Sequence, residues 1–430
     1  MSITIDTGTA VPRTSGLAGV RERFAPIFAR IAADASDPAN ERALRLESVR
    51  ALADAGFGAV RLPVALGGAG LDIAETTRLL IDLGTADANL PQVWRNHIAF
   101  VEDRLWEFHE DPSSTRAALW LARIVDGAIV GGAWSERATV PGARGSTIVT
   151  ESPDGATVSG TKYYSTGSIY ADWITVTGRT PDDEDVLVVV DARADGVTLL
   201  DDWDGVGQQA TGSGTTVLAE VPVAEHGVFR AGSRSPHQEI VYQIVLLAAL
   251  AGVAGAARDE GAAAVRGRVR NYPHGLAAAP RDDAIIQEVI GRVAASAAGA
   301  RAVVLAAARE LDTGLEVLRR TGPGAATTGG EPGAALHEGT AVPLRDAAVA
   351  TWEAQLVAAD AALSAATELY DALGSSAVER RAALDRHWRN ARTLTSHNPR
   401  GYKARLVGDW YLNAADPSPW SRRHEAPPPA

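Results

Sequence analysis

At 430 residues, with 46% hydrophobic content and a formal net charge of −12, the chain can bury a large core, and its length alone suggests about two or three domains. It contains no cysteine, which excludes disulfides, thiolate metal sites and cysteine nucleophiles. The acidic balance argues against nucleic acid as a partner, because phosphate binding needs Lys and Arg clustered on one face.

The chain opens on Met1-Ser2-Ile3-Thr4-Ile5-Asp6, which lacks a basic n-region leading into an apolar stretch. No secretory signal is expected, and a cytoplasmic location is the default. From about residue 15 to 125 the pattern is helical. Ala43, Leu44, Leu46, Val49, Leu52 and Ala53 recur near a 3.6-residue period, and Gly56 is placed to end that helix. An N-terminal helical domain is expected over 1–126. Within it, residues 57–71 are turn-rich, and Gly67-Gly68-Ala69-Gly70 reads as a turn, since it lacks both the context of a dinucleotide fingerprint and the Lys-Ser/Thr of a phosphate loop.

Over 127–233 the period changes to two. Short runs such as Thr147-Ile148-Val149-Thr150, Trp173-Ile174-Thr175-Val176 and Val186-Leu187-Val188-Val189-Val190 lie between Gly, Asp and Pro, which predicts a compact central β domain. Over 234–430 the pattern is helical again, and 287–311 and 349–373 are long enough for bundle helices. The apolar stretch from Ile244 to Ala257 is interrupted by glycine and reads as a buried helix too short to span a bilayer, so no membrane association is expected. The segment from Thr321 to Gly333 is rich in Gly and Thr and reads as an inter-helix loop, a spacer or a lid. The tail Glu425–Ala430 is expected to be disordered. The fold class is therefore mostly α with a central β domain.

Taken residue by residue, the chemistry is open. His397 near a helix end reads as a cap or surface group, Thr166 as a good strand former, and His97 as a residue that caps or packs a helix. With ten tryptophans in the chain, Trp203 reads as a packing residue. The nine histidines show no spacing suited to a metal, and none is expected.

Three separated segments change that reading. Gly131-Gly132-Ala133-Trp134-Ser135-Glu136, Gly160-Thr161-Lys162-Tyr163-Tyr164-Ser165-Thr166-Gly167 and the stretch from Arg386 to Pro399 resemble, in order and spacing, the two flavin-flanking strands and the closing helix of the acyl-CoA dehydrogenase superfamily. The resemblance covers nearly the whole chain. It implies an N-terminal helical domain, a β-barrel-like middle domain and a C-terminal four-helix bundle that also mediates homotetramer formation. Within the superfamily, Asn89 to His97, Lys162 to Gly167, Asp201 to Gly207 and Trp388-Arg389-Asn390-Ala391-Arg392-Thr393 running into Ser396-His397-Asn398-Pro399 resemble the dibenzothiophene monooxygenase branch. Those enzymes receive reduced flavin from a separate NAD(P)H-flavin reductase.

Dehydrogenation would need a carboxylate to take an α-proton from a thioester. Aligning the closing helix puts His397 and Asn398 where a Tyr-Glu pair commonly sits, and Asn398 cannot act as a base. Monooxygenation instead needs neutral donors around a flavin C4a-hydroperoxide formed from reduced flavin and O2. The resemblance implies His397 in that role, with Thr166 as its hydroxyl partner and His97 completing a catalytic cluster. It implies Ser135, Tyr164, Ser165 and Thr166 against the flavin, and Arg270 on its phosphate, across a subunit interface. It places Trp203, Trp134 and Asn96 beside the substrate.

The implied enzyme is a two-component monooxygenase using reduced FMN, with FAD as the alternative. Its substrate would be a small apolar or aromatic molecule oxygenated at sulfur, nitrogen or carbon. A second reading is an FAD-dependent acyl-CoA dehydrogenase with its base elsewhere, and a third is a non-catalytic relative. The chain departs from the branch at Leu394, where a second histidine is frequent, and at Gly132, where an asparagine can stand. It departs from the dehydrogenases at Leu373-Gly374-Ser375-Ser376, which lacks their glycine-rich sequence near the flavin.

Overall fold

The computed structural model describes residues 16–137, 145–153, 155–230, 232–321 and 342–417. Five helices come first: α1 (Leu17–Ser36), α2 (Leu46–Asp54), α3 (Ile73–Ala86), α4 (Leu90–Glu110) and α5 (Thr115–Val125). Helix α2 begins at Leu46, after Ala43 and Leu44, and Gly56 follows its end with φ 85°, a left-handed conformation that costs glycine nothing. Helix α3 starts on a capping box, Asp72 with Glu75, and its first amides at Ile73 and Ala74 also donate to Asp312, each at 2.9 Å. A carboxylate there suits the positive end of the helix dipole.

Seven strands follow: β1 (Val130–Ala133), β2 (Ile148–Ser152), β3 (Gly155–Lys162), β4 (Trp173–Arg179), β5 (Asp185–Asp191), β6 (Val197–Leu199) and β7 (Thr216–Phe229). The pairings β4-β2-β3-β7-β5 close on themselves through β4 with β5, which makes a barrel, while β1 adds parallel to β4 and β6 adds to β7. Strand β5 explains its own composition. Val186, Val188 and Val190 point into the barrel, whereas Leu187 and Val189 point out onto Phe100, Trp120 and Phe229, so both faces of the strand are buried.

The chain then returns to helix with α6 (Gln238–Gly267), α7 (Ala284–Thr321), α8 (Arg345–Leu373), α9 (Asp385–His397) and α10 (Arg400–Asn413). Helices α6 to α9 pack as the expected bundle, with α3 and α4 laid against α6. Helical domain, barrel and helical bundle follow one another as the resemblance implies. Alanines line the α7–α8 seam (Ala297, Ala300, Ala307 and Ala308 facing Ala354, Ala358 and Ala365 in one buried cluster), and such small residues let helices approach closely. The α3–α6 crossing is closer still, because a Cβ on Gly252 would stand 2.4 Å from the carbonyl carbon of Gly84.

The stretch Ile244–Ala257 lies within a helix of 30 residues. By length and composition alone, α6 and α7 are the two described helices that could cross a membrane, but the apolar window of α6 is wholly buried inside the protein. The loop expected over 321–333 lies, beyond Thr321, outside the described residues, as does the tail 425–430.

Candidate active site

A cleft of about 660 Å³ opens where the first turns of α4, the ends of β1 and β3, the start of α6 and the end of α9 converge. Helix α4 contributes Gln92, Arg95 and Asn96. These positions are three and four apart and share one face of a helix, while Trp94 and His97 fall on the buried side. The Asn96 side chain joins two domains: its amide nitrogen donates to Thr166 O at 3.3 Å, and its oxygen accepts from the Tyr242 hydroxyl at 2.7 Å.

The β side is held by an ion pair. Lys162 Nζ sits 2.8 Å from Glu136 Oε1, and the same carboxylate accepts from the amides and hydroxyls of Ser146 and Thr147. Burial alone would raise the Glu136 pKa, but these donors, Lys162 foremost, bring it down to about 2. The lysine of the Gly-x-Lys strand is thus an anchor. Beyond it the backbone turns sharply, with Tyr164 at φ 59° and Gly167 at φ 81°, which exposes the Tyr164 ring and aims Thr166 into the cleft. Thr166 Oγ1 is 2.7 Å from Ser213 Oγ, which is 2.7 Å from Thr211 Oγ1, and that hydroxyl donates to Gln208 O at 2.8 Å. A hydroxyl chain therefore runs inward from Thr166.

Aromatic rings form the remaining walls. Trp134 donates to Thr175 Oγ1 at 3.0 Å and meets Tyr242 edge-on at 5.4 Å, and Trp203 meets Tyr164 at 5.9 Å. Trp203 folds back over its own loop, donating to Gly207 O at 3.1 Å, and Gly205 has room for nothing more: a Cβ there would lie 2.1 Å from the indole. Helix α9 docks on the same loop, since Asn390 Oδ1 accepts from Gln208 N at 2.7 Å and Arg389 Nη1 donates to Val206 O at 3.1 Å.

His397 is the last residue of α9 and faces the cleft. Its neighbour Asn398 donates to Gln243 Oε1 at 2.6 Å and accepts at its carbonyl from Gln355 at 3.0 Å, which fixes the helix end. His397 Nε2 lies 2.9 Å from Arg95 Nη1. A guanidinium can only donate, so Nε2 accepts and the ring proton sits on Nδ1. A helix C-terminus ordinarily favours a charged histidine. Here the Arg95 charge wins and lowers the His397 pKa to about 3, although the residue itself is exposed at the cleft. The imidazole is neutral. Leu394 is buried, and it too lines the cleft.

The cleft brings together His397, Thr166, Ser135, Tyr164, Trp134, Trp203 and Asn96. His97, expected to complete the catalytic cluster, is not among them. One residue after Asn96 the helix has turned about 100°, so the His97 ring faces inward, where Nε2 donates to Gly58 O at 2.9 Å and Nδ1 accepts from Val130 N at 3.2 Å. Both ring nitrogens serve the backbone, the side chain is fully buried, and burial lowers its pKa to about 4. Ser165 points inward beneath the turn, with its amide donating to Gly214 O at 3.1 Å. Arg270 is exposed in the segment after α6 and does not line the cleft. His387 sits at the other end of α9, with Nε2 3.1 Å from Glu260.

Sequence reasoning missed Arg95, Tyr242, Gln92, Ser213 and Glu239, all of which line the cleft. The signal for four of them was there: Gln92 and Arg95 share a face with Asn96, and Glu239 with Tyr242 is the polar start of a helix that is apolar from Ile244 to Ala257. Among the described residues no group of His, Asp and Glu could hold a metal ion.

Comparison with known proteins places this geometry. Residues 244–399 match the model of the acyl-CoA dehydrogenase C-terminal domain. The chain is 23% identical over 417 residues to a probable FMNH2-dependent monooxygenase of Pseudomonas putida, covering 95% of this chain and 97% of that one. Its fold is similar to that of the methanesulfinate monooxygenase of Pseudomonas fluorescens (TM-score 0.78, 21% identity, 94% of this chain and 99% of that one). It is also similar to the dibenzothiophene monooxygenase of a Paenibacillus species solved with FMN bound (TM-score 0.76, 22% identity, 93% and 98%). The C-terminal helices thus match the acyl-CoA dehydrogenase C-terminal domain, and the chain as a whole shares the fold of flavin-dependent monooxygenases.

Proposed function

We propose that the chain is a two-component flavin-dependent monooxygenase. It would take reduced FMN from a separate NAD(P)H-flavin reductase and, with O2, return oxidised FMN, water and a substrate bearing one added oxygen atom. The observation that carries this reading is His397, neutral and lining the cleft with Thr166, next to Asn398 at the position where a dehydrogenase would present a carboxylate. The relatives the chain resembles support it.

The cleft suits a flavin on its own terms. Gln92 Oε1 and Gln208 Oε1 are buried without hydrogen-bond partners and line it, and buried acceptors of that kind call for a donor. Trp134, Ser135, Tyr164 and Thr166 would hold the ring, and Arg270 of another copy in a homotetramer its phosphate. Bound reduced flavin would supply the oxygen activation. The protein's share is to exclude water with Trp203, Trp134 and Tyr164, and to offer neutral donors, the Thr166 hydroxyl and the His397 ring N–H. FAD is the weaker candidate, since the relatives compared use or bind FMN.

The competing dehydrogenase reading has one carboxylate available, because Glu239 in the first turn of α6 is the only acidic residue lining the cleft among the described residues. Purification separates the two. The monooxygenase is expected to purify without tightly held oxidised flavin and to consume O2 only when reduced FMN is supplied. A yellow protein that bleaches anaerobically with an acyl-CoA, through Glu239, would replace this reading.

A further inference from the structure

Among the described residues, Arg95 has no carboxylate within ion-pair distance. Its Nε donates to Tyr242 O at 2.9 Å, its Nη1 donates to His397, and its guanidinium lies over the Tyr242 ring at 4.8 Å. Among the described residues it forms no ion pair, in contrast to Arg45, Arg61 and Arg104 in the same N-terminal domain, each of which has a carboxylate at 3.2 Å or less. The cleft's one carboxylate, Glu239, acts on Arg95 from beyond ion-pair distance and is shared with Lys403 on α10. A half-buried guanidinium at a cleft wall, with no carboxylate at ion-pair distance, is a ready partner for an incoming anion.

The position of this charge matters as much as its sign. One of its donors is spent on His397 Nε2, a neutral acceptor that holds a guanidinium less strongly than an anionic oxygen would. An anion reaching the cleft would compete for that donor and lie beside the imidazole.

We propose that the substrate carries an anionic head group, a carboxylate, sulfinate or sulfonate, which binds the Arg95 guanidinium and takes over the donor now given to His397. This rests on the monooxygenase reading for the word substrate, but the anion site stands on its own geometry. It refines the expected small apolar molecule into one with an apolar body between Trp134, Trp203 and Tyr242 and a charged end at α4.

The test is calorimetric titration of the purified protein, with and without FMN, using benzenesulfinate and benzoate as anions and methyl phenyl sulfone and benzamide as neutral partners of like shape. The anions are expected to bind the wild type at least tenfold more tightly than their neutral partners. Arg95→Gln should weaken only the anions, by about ten- to a hundredfold for a lost charge-assisted contact, and Arg95→Lys should restore part of the loss with an unchanged melting temperature. FMN and riboflavin are titrated in parallel. If Arg95→Gln instead abolishes the preference for FMN over riboflavin, the guanidinium serves the flavin phosphate and the proposal is overturned. Equal anion binding by wild type and both variants overturns it as well. Failure of the monooxygenase reading would show differently, as anion binding that depends on Arg95 in a protein that oxygenates nothing.

Discussion

Arg95 Nη1 and His397 Nε2 stand 2.9 Å apart, from helices 302 positions distant in sequence, and the guanidinium decides the charge of the imidazole. The wild-type ring, with its pKa lowered to about 3, stays neutral through the range in which an ordinary histidine titrates. Removing the nearby cation in Arg95→Gln removes the largest cause of that shift, so the His397 pKa should rise toward the ordinary value near about 6.5. Following the His397 ring resonances by NMR from pH 4.5 to 8 checks this. The wild-type ring should not titrate in that window and the variant ring should. A wild-type ring that titrates near neutrality would show that the pair does not persist in solution.

His97 should matter for stability and not for turnover. Its folded pKa, near 4, lies below the ordinary value of 6.5, so protons favour the unfolded chain. The stability this neutral histidine retains is intact above about pH 6.5 and is lost as pH falls from there toward 4, by about 3 kcal/mol in all. His97→Gln can still donate to Gly58 O and accept from Val130 N. It should flatten the acid limb of a denaturation series and leave oxygenation per folded molecule within about twofold, whereas His97→Ala, which leaves Gly58 and Val130 unpartnered, should cost about 2–4 kcal/mol. A His97→Gln protein that folds normally but oxygenates nothing would return this residue to the chemistry.

The hydroxyl chain predicts a coupling defect. Thr166→Val removes the donor that faces the cleft, and losing one positioned donor costs on the order of 100-fold in other enzymes. Reduced FMN should still be oxidised, with hydrogen peroxide released in place of product. Ser213→Ala, one link deeper, should show a smaller rise in peroxide. Peroxide yield per reduced FMN is the measurement, and unchanged coupling in both variants would remove the chain from the mechanism.

Gly205 tests the substrate wall. A methyl group there would overlap the Trp203 indole at 2.1 Å, so Gly205→Ala must swing Trp203 out of place while changing no polar group. Misplacement of a positioning wall costs on the order of tenfold or more, and the loss should appear in kcat/KM for substrate with reduced-FMN affinity unchanged. Unaltered kinetics would mean that Trp203 packs the loop and does not touch substrate.

The sequence was most readable where a local pattern has one structural answer. The Val186–Val190 run predicts a strand and becomes β5, and Gly56 ends α2 in the left-handed conformation that its position suggests. The cleft was readable where a motif survives as a contiguous run, which is why Thr166, Ser135 and His397 were found. His97 lies outside it because adjacency in sequence is not adjacency in space: on a helix it faces about 100° away from Asn96. Arg95 was missed because its meaning comes from His397, far along the chain, and no local pattern records that pairing. The Ile244–Ala257 stretch reads as a buried helix and is one, with Gly252 and Gly255 set against α3 at Gly84 and Thr85.

The central claim is that this protein transfers one oxygen atom from O2 under the control of His397. The most direct measurement supplies reduced FMN from a flavin reductase under 18O2 to wild type and His397→Ala, with a panel of sulfides, sulfinates, amines and phenols, and weighs the products. The account predicts a product heavier by one 18O atom with the wild type, and none with His397→Ala, although that variant remains folded and binds FMN. Label-free product, or full turnover by His397→Ala, would contradict it.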